Sequence, residues 1–205
     1  MGGYEYIVSK QIQWALNQGY SLIGSKNERG RQTYTTHLDQ NLYEPLEEST
    51  KEQFKKGDGK EILGSQQSPA KMQALHSSSA LGVNIFQYWQ RIGLANEIAS
   101  ACGFCNKGSD YVKEIVFEEK YRIKTKFVVP PNIDVVFHTK DNTQYKRFAI
   151  ECKFSEAYSV SRHEGLKEKY LFEHDLWDDL PALHELAKEI CPEDNRYRNL
   201  HAAQL

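Results

Sequence analysis

The sequence predicts an α/β protein in which helices flank a mixed β-sheet, with a helical region at the N-terminus. Residues near both ends show the apolar spacing of helices, whereas the middle of the chain has two β-rich runs around a polar turn. This order is typical of domains that cover one sheet with helices. A chain of 205 residues suits one core with an appendage, so we expect a helical and loop extension over residues 1–68 and the core over residues 69–205.

Composition and charge exclude several classes of protein. The formal net charge of −2 argues against a protein that coats nucleic acid, so any DNA contact must be local. No apolar run approaches the roughly 20 residues of a membrane span. The N-terminus resembles neither a signal peptide nor a myristoylation site, because Tyr6 stands where Ser or Thr is required. We therefore expect a cytoplasmic protein that makes no membrane contact.

The N-terminal region is predicted to contain one long helix followed by a polar stretch. Residues 5–18 have apolar positions at helical spacing, and Gly19 is expected to end this helix. The stretch over residues 24–68 is polar, and short helices are expected around residues 42–54, because a long irregular loop is unusual in a compact domain. The apolar side of the first helix is expected to consist of Ile7, Ile12, Trp14 and Leu16.

Three consecutive helices are predicted before the β-rich part of the chain. Ser68 and Pro69 are a start signal for a helix that runs towards Leu81. A second helix is expected over residues 83–92 and a third over residues 94–101. The other predicted elements are a strand over residues 111–119 and helices over residues 165–172 and 182–190. Residues 197–205 have the pattern of an incipient helix, which is expected of either a native terminus or a shortened chain.

Residues 132–156 are predicted to form a β-hairpin around which the rest of the chain is organised. Two runs, residues 133–137 and 148–154, flank a polar turn centred on Asn142 and Thr143. Because side chains alternate along a strand, the hairpin has two faces. One face is apolar and consists of Ile133, Val135, Phe137, Phe148, Ile150, Cys152 and Phe154, and the other carries Asp134, Val136, Ala149, Glu151 and Lys153.

The charged face of the hairpin predicts a metal site. The turn places Asp134 opposite Glu151, and like charges that face each other across a strand pair are destabilising. A hard divalent cation removes this repulsion, because Mg²⁺ is commonly held by one or two carboxylates with waters and substrate phosphates. Lys153 shares this face and is placed to meet a phosphate. The alternative is an exposed hairpin in which Lys153 forms an ion pair with one of the two carboxylates.

These residues lie in motifs that resemble those of a nuclease superfamily. The segment 131–134 (PNID), followed by the segment 149–153 (AIECK), resembles the signature of the PD-(D/E)XK superfamily. In this chain two residues separate the Pro and the Asp of the first half of that signature. The segment 76–81 (HSSSAL), followed by 84–86 (NIF), is similar to a poorly characterised bacterial branch of the superfamily. The resemblance covers about residues 57–205 and implies the restriction-endonuclease-like fold.

The resemblance implies a nuclease that depends on Mg²⁺ or Mn²⁺ and acts in restriction, in repair or in a mobile-element or defence role. DNA is the favoured substrate, and RNA stays open as the less favoured one. In such an enzyme Asp134, Glu151 and the Cys152 carbonyl would hold the metal. Lys153 would orient the nucleophile or stabilise the charge of the transition state. Glu118, at the end of the preceding strand, is the expected further ligand and catalytic residue. The alternatives to it are Glu61, Glu97 and Glu119. The oligomeric state stays open between a monomer and a homodimer.

A row of basic residues follows the strand that ends at Glu119. Four cations alternate on one strand face and repel each other unless they meet an anion, so we expect contact with a nucleic-acid backbone. Protection of a sheet edge by charge is the alternative. The row consists of Lys120, Arg122, Lys124 and Lys126.

Two interpretations other than an enzyme stay open, and the cysteines bear on one of them. Cys102 and Cys105 have the spacing of a zinc or redox pair, but no second pair completes a tetrahedral site, so two buried thiols near a helix C-terminus are expected instead. A zinc-stabilised interaction domain is therefore one alternative to an enzyme. The other is a non-catalytic module on a nuclease fold that binds nucleic acid or protein.

Overall fold

A computed structural model describes residues 2–57, 61–65, 68–122, 130–154, 168–172 and 176–189. The chain divides into two compact units, residues 1–156 and residues 157–205. Helices and β-sheets both occur, which confirms the α/β class. Every strand pair within the described ranges is antiparallel, and the mixed sheet of a restriction-endonuclease-like core stays a prediction. No helix in these ranges combines the length and apolarity that crossing a bilayer requires.

The elements alternate between helical and extended segments. The first unit contains α1 (Gly3–Asn17), β1 (Leu22–Gly24), β2 (Gln32–Thr35), α2 (Glu48–Lys56), α3 (Ser78–Arg91), α4 (Ala95–Ala101), β3 (Val112–Lys120), β4 (Asn132–Thr139) and β5 (Arg147–Ile150). Short 3-10 helices lie at Lys26–Glu28, Leu38–Asn41 and Lys71–Gln73. The predicted helices around residues 42–54 and 94–101 and the strand over residues 111–119 correspond to α2, α4 and β3.

Helix α1 buries a different side from the one predicted. It ends before Gly19, which adopts a positive φ of 77°, as the stop signal indicated. Trp14 and Leu16 are 49% and 58% exposed, whereas Ala15 is fully buried, so the predicted apolar side is wrong at these two positions. The buried stripe instead includes Gln11, whose Nε2 donates to the Leu75 carbonyl at 2.8 Å. Gln11 and Ala15 are four residues apart and therefore lie on one side of the helix. The prediction chose Trp14 and Leu16 instead because they are larger and more apolar than Ala15.

The polar stretch after α1 contains a small hairpin that was not predicted. Strands β1 and β2 pair antiparallel, and their three and four residues are too few to show alternation. The backbone is crowded at the turn, because a Cβ on Gly24 would lie 2.5 Å from the Gly30 carbonyl oxygen. An isolated bridge from Tyr34 to Ala74 joins this hairpin to the segment before α3.

The segment from Ser68 to Ser77 is not the predicted helix. Ser68 forms an isolated bridge with Ser65, and α3 begins only at Ser78 and continues to Arg91. Ser77 is the N-cap, and its Oγ accepts a hydrogen bond from the Ala80 N–H at 3.1 Å. A serine at the N-cap satisfies an N–H that would otherwise lack a partner, which makes Ser77 a stronger start signal than Ser68 with Pro69.

Strands β3, β4 and β5 form one sheet in that order, and β4 pairs with β5 in the predicted register. The loop between them is longer than the predicted two-residue turn, because β4 ends at Thr139 and β5 begins at Arg147, and β5 ends at Ile150 rather than at residue 154. The pairs of β4 with β5 are Val135↔Ile150, Val136↔Ala149, Phe137↔Phe148 and His138↔Arg147. The predicted apolar face packs on α3, where the Phe86 and Phe137 rings meet edge-on at 5.6 Å. A Cβ on Gly82 would lie 3.1 Å from the Cys152 Sγ, so glycine lets α3 approach the hairpin where the charged residues begin.

The outer edge of β3 is covered by amide side chains. Gln53 of α2 accepts a hydrogen bond from the Phe117 N–H at 3.0 Å, and Gln90 of α3 accepts one from the Ile115 N–H. These two glutamines supply the acceptors that a further strand would have supplied. Two helices therefore hold the strand that carries Glu118.

The second unit is described in two pieces. Helix α5 spans Glu168–Leu171 and helix α6 spans Pro181–Glu189. Trp177 stacks on the ring of His184 at 4.8 Å, and Ala187 is fully buried. The predicted helices over residues 165–172 and 182–190 are present to this extent, and residues 165–167 and 190 lie outside the described ranges.

Candidate active site

Four acidic side chains come together beside the sheet, and we refer to them as the carboxylate cluster. Its members are Glu61 from the segment between α2 and α3, Glu118 from β3, Asp134 from β4 and Glu151, which follows β5. Burial is the largest cause that raises the pKa of Glu118 and of Asp134. Glu61 and Asp134 raise the pKa of Glu118 further, and Glu151 and Glu61 raise that of Asp134. The cluster thus concentrates negative charge in a partly buried place.

The hairpin positions Asp134 and Glu151 next to each other. The observed pairing of Val135 with Ile150 brings Asp134 level with Glu151 one step further along. Asp134 Oδ2 accepts a hydrogen bond from the Cys152 N–H at 2.7 Å, so a side chain extends the ladder where the strand pairing ends. Burial raises the pKa of Asp134 to about 6, although the Cys152 N–H and Lys153 act in the opposite direction.

Lys153 lies on the same side of the hairpin as predicted. Its Nζ donates a hydrogen bond to Glu151 Oε1 at 2.7 Å. This contact is one of the two ion pairs that the alternative interpretation named. An ammonium group has three donors, so a contact with Glu151 does not prevent a second contact with an anion.

Glu118 is held in an unusual backbone conformation. Its φ is +53°, and only a few per cent of residues other than glycine have a positive φ. Neighbouring pairs of β3 with β4 place it level with Asp134. Asn132 Nδ2 donates to Glu118 Oε2 at 3.0 Å, and burial together with nearby Glu61 and Asp134 raises the pKa of Glu118 to about 7. Strained residues of this kind concentrate at functional sites.

The segment 76–81 (HSSSAL), which we call the serine-rich run, connects α3 to the cluster. Ser79 Oγ donates to Glu61 Oε2 at 2.9 Å, two residues after the N-cap Ser77. Lys71 Nζ donates to Glu61 Oε1 at 3.0 Å. At the start of the run, His76 Nε2 lies 2.9 Å from Glu28 Oε1. The run therefore ties the N-terminal region to the cluster through side chains three positions apart.

The structure separates the other two alternatives to Glu118 from the cluster. Glu119 Oε2 accepts hydrogen bonds from the Tyr121 hydroxyl at 2.9 Å and lies 2.6 Å from His138 Nε2. Glu97 lies in the first turn of α4, where its charge adds to burial in raising the pKa of Cys105. Neither is among the main causes of the pKa shifts of Asp134 or Glu118.

The basic row is described only in part. Lys120 is the last residue of β3, and Arg122 lies beyond the strand and is exposed. Lys124 and Lys126 lie outside the described residues. Contact of these four residues with a nucleic-acid backbone stays a prediction.

The cluster suits a divalent cation that takes few protein ligands. No group of three or more His, Cys, Asp or Glu side chains in the described ranges is arranged to hold a metal ion by itself. Asp134 and Glu151 offer the one or two carboxylates that are usual for Mg²⁺, with waters and substrate phosphates as the other ligands. Burial and repulsion among the carboxylates raise the pKa values of Asp134 and Glu118, and a bound cation would favour their charged forms. Asn132 Oδ1 is buried without a hydrogen-bond partner beside Glu118.

The cysteine pair does not form the buried thiols that were expected. Cys102 is exposed and Cys105 is half-buried, because both lie at the end of α4 rather than inside the core. Burial still raises the pKa of each thiol, which disfavours the thiolate that zinc binds.

Sequence reasoning did not find Lys71 or the contact of Asn132 with Glu118. Asn132 lies inside the PNID segment, and its polar side chain beside Asp134 was a sequence signal for a contact at the site. Lys71 has no such signal, because it meets Glu61 only through the path of the chain between α2 and α3.

Comparison with known families identifies a match over most of the chain. The family described as Restriction Endonuclease associating with ARP matches residues 10–205. The matched range contains the whole carboxylate cluster and also most of α1 and the β1–β2 hairpin. No curated protein and no solved structure matches the chain.

Proposed function

Because the chain belongs to the family described as Restriction Endonuclease associating with ARP, we propose that it is a metal-dependent nuclease that hydrolyses phosphodiester bonds of DNA. The observation that carries this proposal is the hairpin, which brings Asp134 level with Glu151 and places Lys153 Nζ 2.7 Å from Glu151. The same geometry supports assignment to the PD-(D/E)XK superfamily and its restriction-endonuclease-like core.

Each residue of the hairpin has a defined task in this proposal. Asp134 and Glu151 hold Mg²⁺ or Mn²⁺, with help from the Cys152 carbonyl and from Glu118. When bound, the cation polarises the scissile phosphoryl group and acidifies a water. The Cys152 N–H keeps Asp134 Oδ2 in place, and Asn132 does the same for Glu118 Oε2. Lys153 orients the nucleophile or stabilises the charge that develops on the phosphoryl oxygens.

Cleavage assays test this proposal. Purified protein is incubated with plasmid, linear and branched DNA in the presence of Mg²⁺, Mn²⁺ or EDTA. We expect cleavage that EDTA abolishes and that Asp134→Asn, Glu151→Gln and Lys153→Ala reduce at least a hundredfold. Glu48→Gln, which alters an exposed ion pair on α2, is the matched control and should cleave like the wild type. Full activity in Asp134→Asn, or equal cleavage in EDTA, contradicts the proposal.

Glu118 is the proposed further ligand, and its substitution separates it from Glu119. Glu118→Gln keeps the acceptor for Asn132 and removes the charge, so we expect cleavage to fail or to need much more Mg²⁺ while the thermal stability stays close to that of the wild type. Glu119→Gln is the control, because that side chain contacts Tyr121 and His138 instead. If Glu118→Gln retains full activity, the role passes to Glu61.

The family description also names an association, and we propose ARP as a protein partner of this chain. Binding of purified ARP to the wild type and to Asp134→Asn would test the association separately from catalysis. A chain that binds ARP or DNA but never cleaves would be the non-catalytic module that the sequence left open.

A further inference from the structure

Lys71 is a second lysine at the carboxylate cluster, and it comes from a different part of the chain than Lys153. Both oxygens of Glu61 are engaged, Oε1 by Lys71 Nζ at 3.0 Å and Oε2 by Ser79 Oγ at 2.9 Å. The two partners differ in burial, because the Glu61 side chain is 13% exposed and that of Lys71 is 60% exposed. The carboxylate thus lies inside the site while the ammonium faces outward from it.

Backbone contacts and burial fix the position of the Lys71 Cα. Lys71 starts the short 3-10 helix at Lys71–Gln73, and the Met72 N–H donates to the Glu61 carbonyl at 2.9 Å. Met72 itself is fully buried. Ala70, on the other side of Lys71, is buried as well. The segment is therefore anchored on both sides of Lys71, and the end of the side chain is the part that can meet a ligand.

The Lys71 ammonium can donate further hydrogen bonds, and it lies close to the carboxylate cluster. Of its three N–H donors, the contact with Glu61 uses one. Its charge also reaches Glu118, because Lys71 is one of the two groups that lower the pKa of that carboxyl. Lys71 is thus close enough to the proposed metal ligands to contact the same nucleic-acid strand.

We propose that Lys71 binds a backbone phosphate next to the scissile phosphodiester, and that Glu61 is the positioning residue for Lys71 rather than a metal ligand. This inference rests on the proposed nuclease function. Phosphate contacts of this kind add affinity without reading the base sequence. The competing explanation is that Lys71 only compensates the charge of Glu61, as many exposed ion pairs do.

Salt-dependent binding distinguishes the two explanations. Affinity for a short DNA duplex is measured over a range of salt concentrations with Ca²⁺ in place of Mg²⁺. Lys71→Ala should weaken binding and flatten the slope of log K against log salt by about 0.9, the value for one lost contact on B-DNA. Lys71→Arg should restore the slope.

Lys51→Ala is the matched control, because it removes the same charge from an exposed ion pair on α2, in which Lys51 Nζ lies 3.3 Å from Glu48 Oε2. Its slope should equal that of the wild type. An unchanged slope in Lys71→Ala, or an equal change in both variants, overturns the phosphate contact.

A metal titration without DNA tests the role of Glu61. We expect Glu61→Gln to bind Mn²⁺ with the stoichiometry of the wild type and with an affinity within a few fold of it, whereas Asp134→Asn loses most of its affinity. Lys71→Ala should bind Mn²⁺ at least as tightly as the wild type, because a cation beside the cluster has been removed. If Glu61→Gln loses Mn²⁺ as severely as Asp134→Asn, Glu61 is a ligand and the positioning role is wrong.

The outcomes separate this inference from the proposed function. DNA binding that depends on Lys71 without any cleavage in Mg²⁺ contradicts the nuclease and leaves the phosphate contact standing. Cleavage together with an unchanged slope in Lys71→Ala contradicts the phosphate contact alone. A wild type that does not bind DNA contradicts both.

Discussion

At the scale of single residues, the most informative feature is the proton affinity of Asp134. Its pKa is about 6 in the folded protein against an ordinary 3.8, so the folded state holds this proton more tightly than the unfolded state does. Stability of the metal-free protein should therefore fall as the pH rises from about 4 to about 6, and the loss is complete above that window. Glu118, with a pKa of about 7 against 4.5, should extend the fall to about pH 7.

Asp134→Asn should remove the Asp134 part of this pH dependence. The amide oxygen can still accept from the Cys152 N–H, and the repulsion from Glu151 and Glu61 disappears. In EDTA above about pH 7 the variant should melt at the same temperature as the wild type or higher, most clearly at low salt, where screening is least. The exposed Asp141→Asn is the control and should leave the pH profile unchanged. A variant that melts well below the wild type would contradict the repulsion between Asp134 and Glu151.

Added Mg²⁺ should act on the same variants in different ways. A ligand that binds only the folded state stabilises it by mass action, by about 2.7 kcal/mol at a hundred times its Kd. The wild type should gain stability accordingly, and Asp134→Asn much less, because one carboxylate ligand is gone. Lys153→Ala should lose stability without metal, keep the response to Mg²⁺ and fail to cleave. Equal melting shifts in all three proteins would show that Asp134 is not a ligand.

At the scale of elements, the edge of β3 determines how firmly Glu118 is held. Gln53→Ala leaves the Phe117 N–H without its acceptor on a strand packed against the core, and we expect a loss of about 1–3 kcal/mol in the free energy of unfolding. Gln13→Ala, on the exposed side of α1, is the control and should change stability little. Chemical denaturation of both variants measures the difference. Alanine favours a helix more than glutamine does, so a loss of the same size in Gln13→Ala would show that the effect is not specific to the edge of β3.

The elements also show which features the sequence can predict. The register of β4 with β5 followed from one turn, because a period of two fixes the facing pairs once the turn centre is chosen. The start of α3 was missed, because Ser68-Pro69 and Ser77 are both good start signals and only tertiary contacts decide between them. The β1–β2 hairpin was missed because it is short and relies on Gly24 and Gly30 rather than on alternation.

Some members of the carboxylate cluster can be predicted from local sequence, and others depend on long-range contacts. Asp134, Glu151 and Lys153 were predicted from the hairpin alone, since their relation depends on a single turn. Glu61 and Lys71 reach the cluster from the segment between α2 and α3, and no local pattern encodes that path. The side-chain contacts of Ser79 with Glu61 and of Asn132 with Glu118 depend on packing in the same way.

At the scale of the whole molecule, the N-terminal region is tied to the rest of the first unit. Gln87 of α3 is fully buried, donates to the Pro45 carbonyl at 3.0 Å and accepts from the Glu47 N–H at 3.0 Å. Burial raises the pKa of Glu28, but hydrogen bonds from His76, Thr33 and Tyr34 outweigh it and hold that pKa at about 2. The family match, which begins at residue 10, includes these contacts.

The whole molecule carries a net charge of −2, so any DNA binding must come from local positive charge. Replacing Lys120, Arg122, Lys124 and Lys126 together by Gln removes four positive charges. If these residues contact a phosphate backbone, the slope of log K against log salt should flatten by up to about 0.9 for each lost contact on B-DNA. Binding is measured with Ca²⁺ in place of Mg²⁺, so that cleavage does not interfere.

A second quadruple variant separates local contact from overall charge. Changing Lys10, Lys55, Lys107 and Lys188 to Gln removes the same four charges from exposed positions elsewhere on the chain. Charges farther from the DNA than about 10 Å are largely screened at 0.1 M salt, so this control should bind with nearly the slope of the wild type. If the two variants flatten the slope equally, overall charge accounts for the effect. An unchanged slope in the first variant would mean that the basic row protects a sheet edge and that the phosphate contacts lie at Lys71 and Lys153.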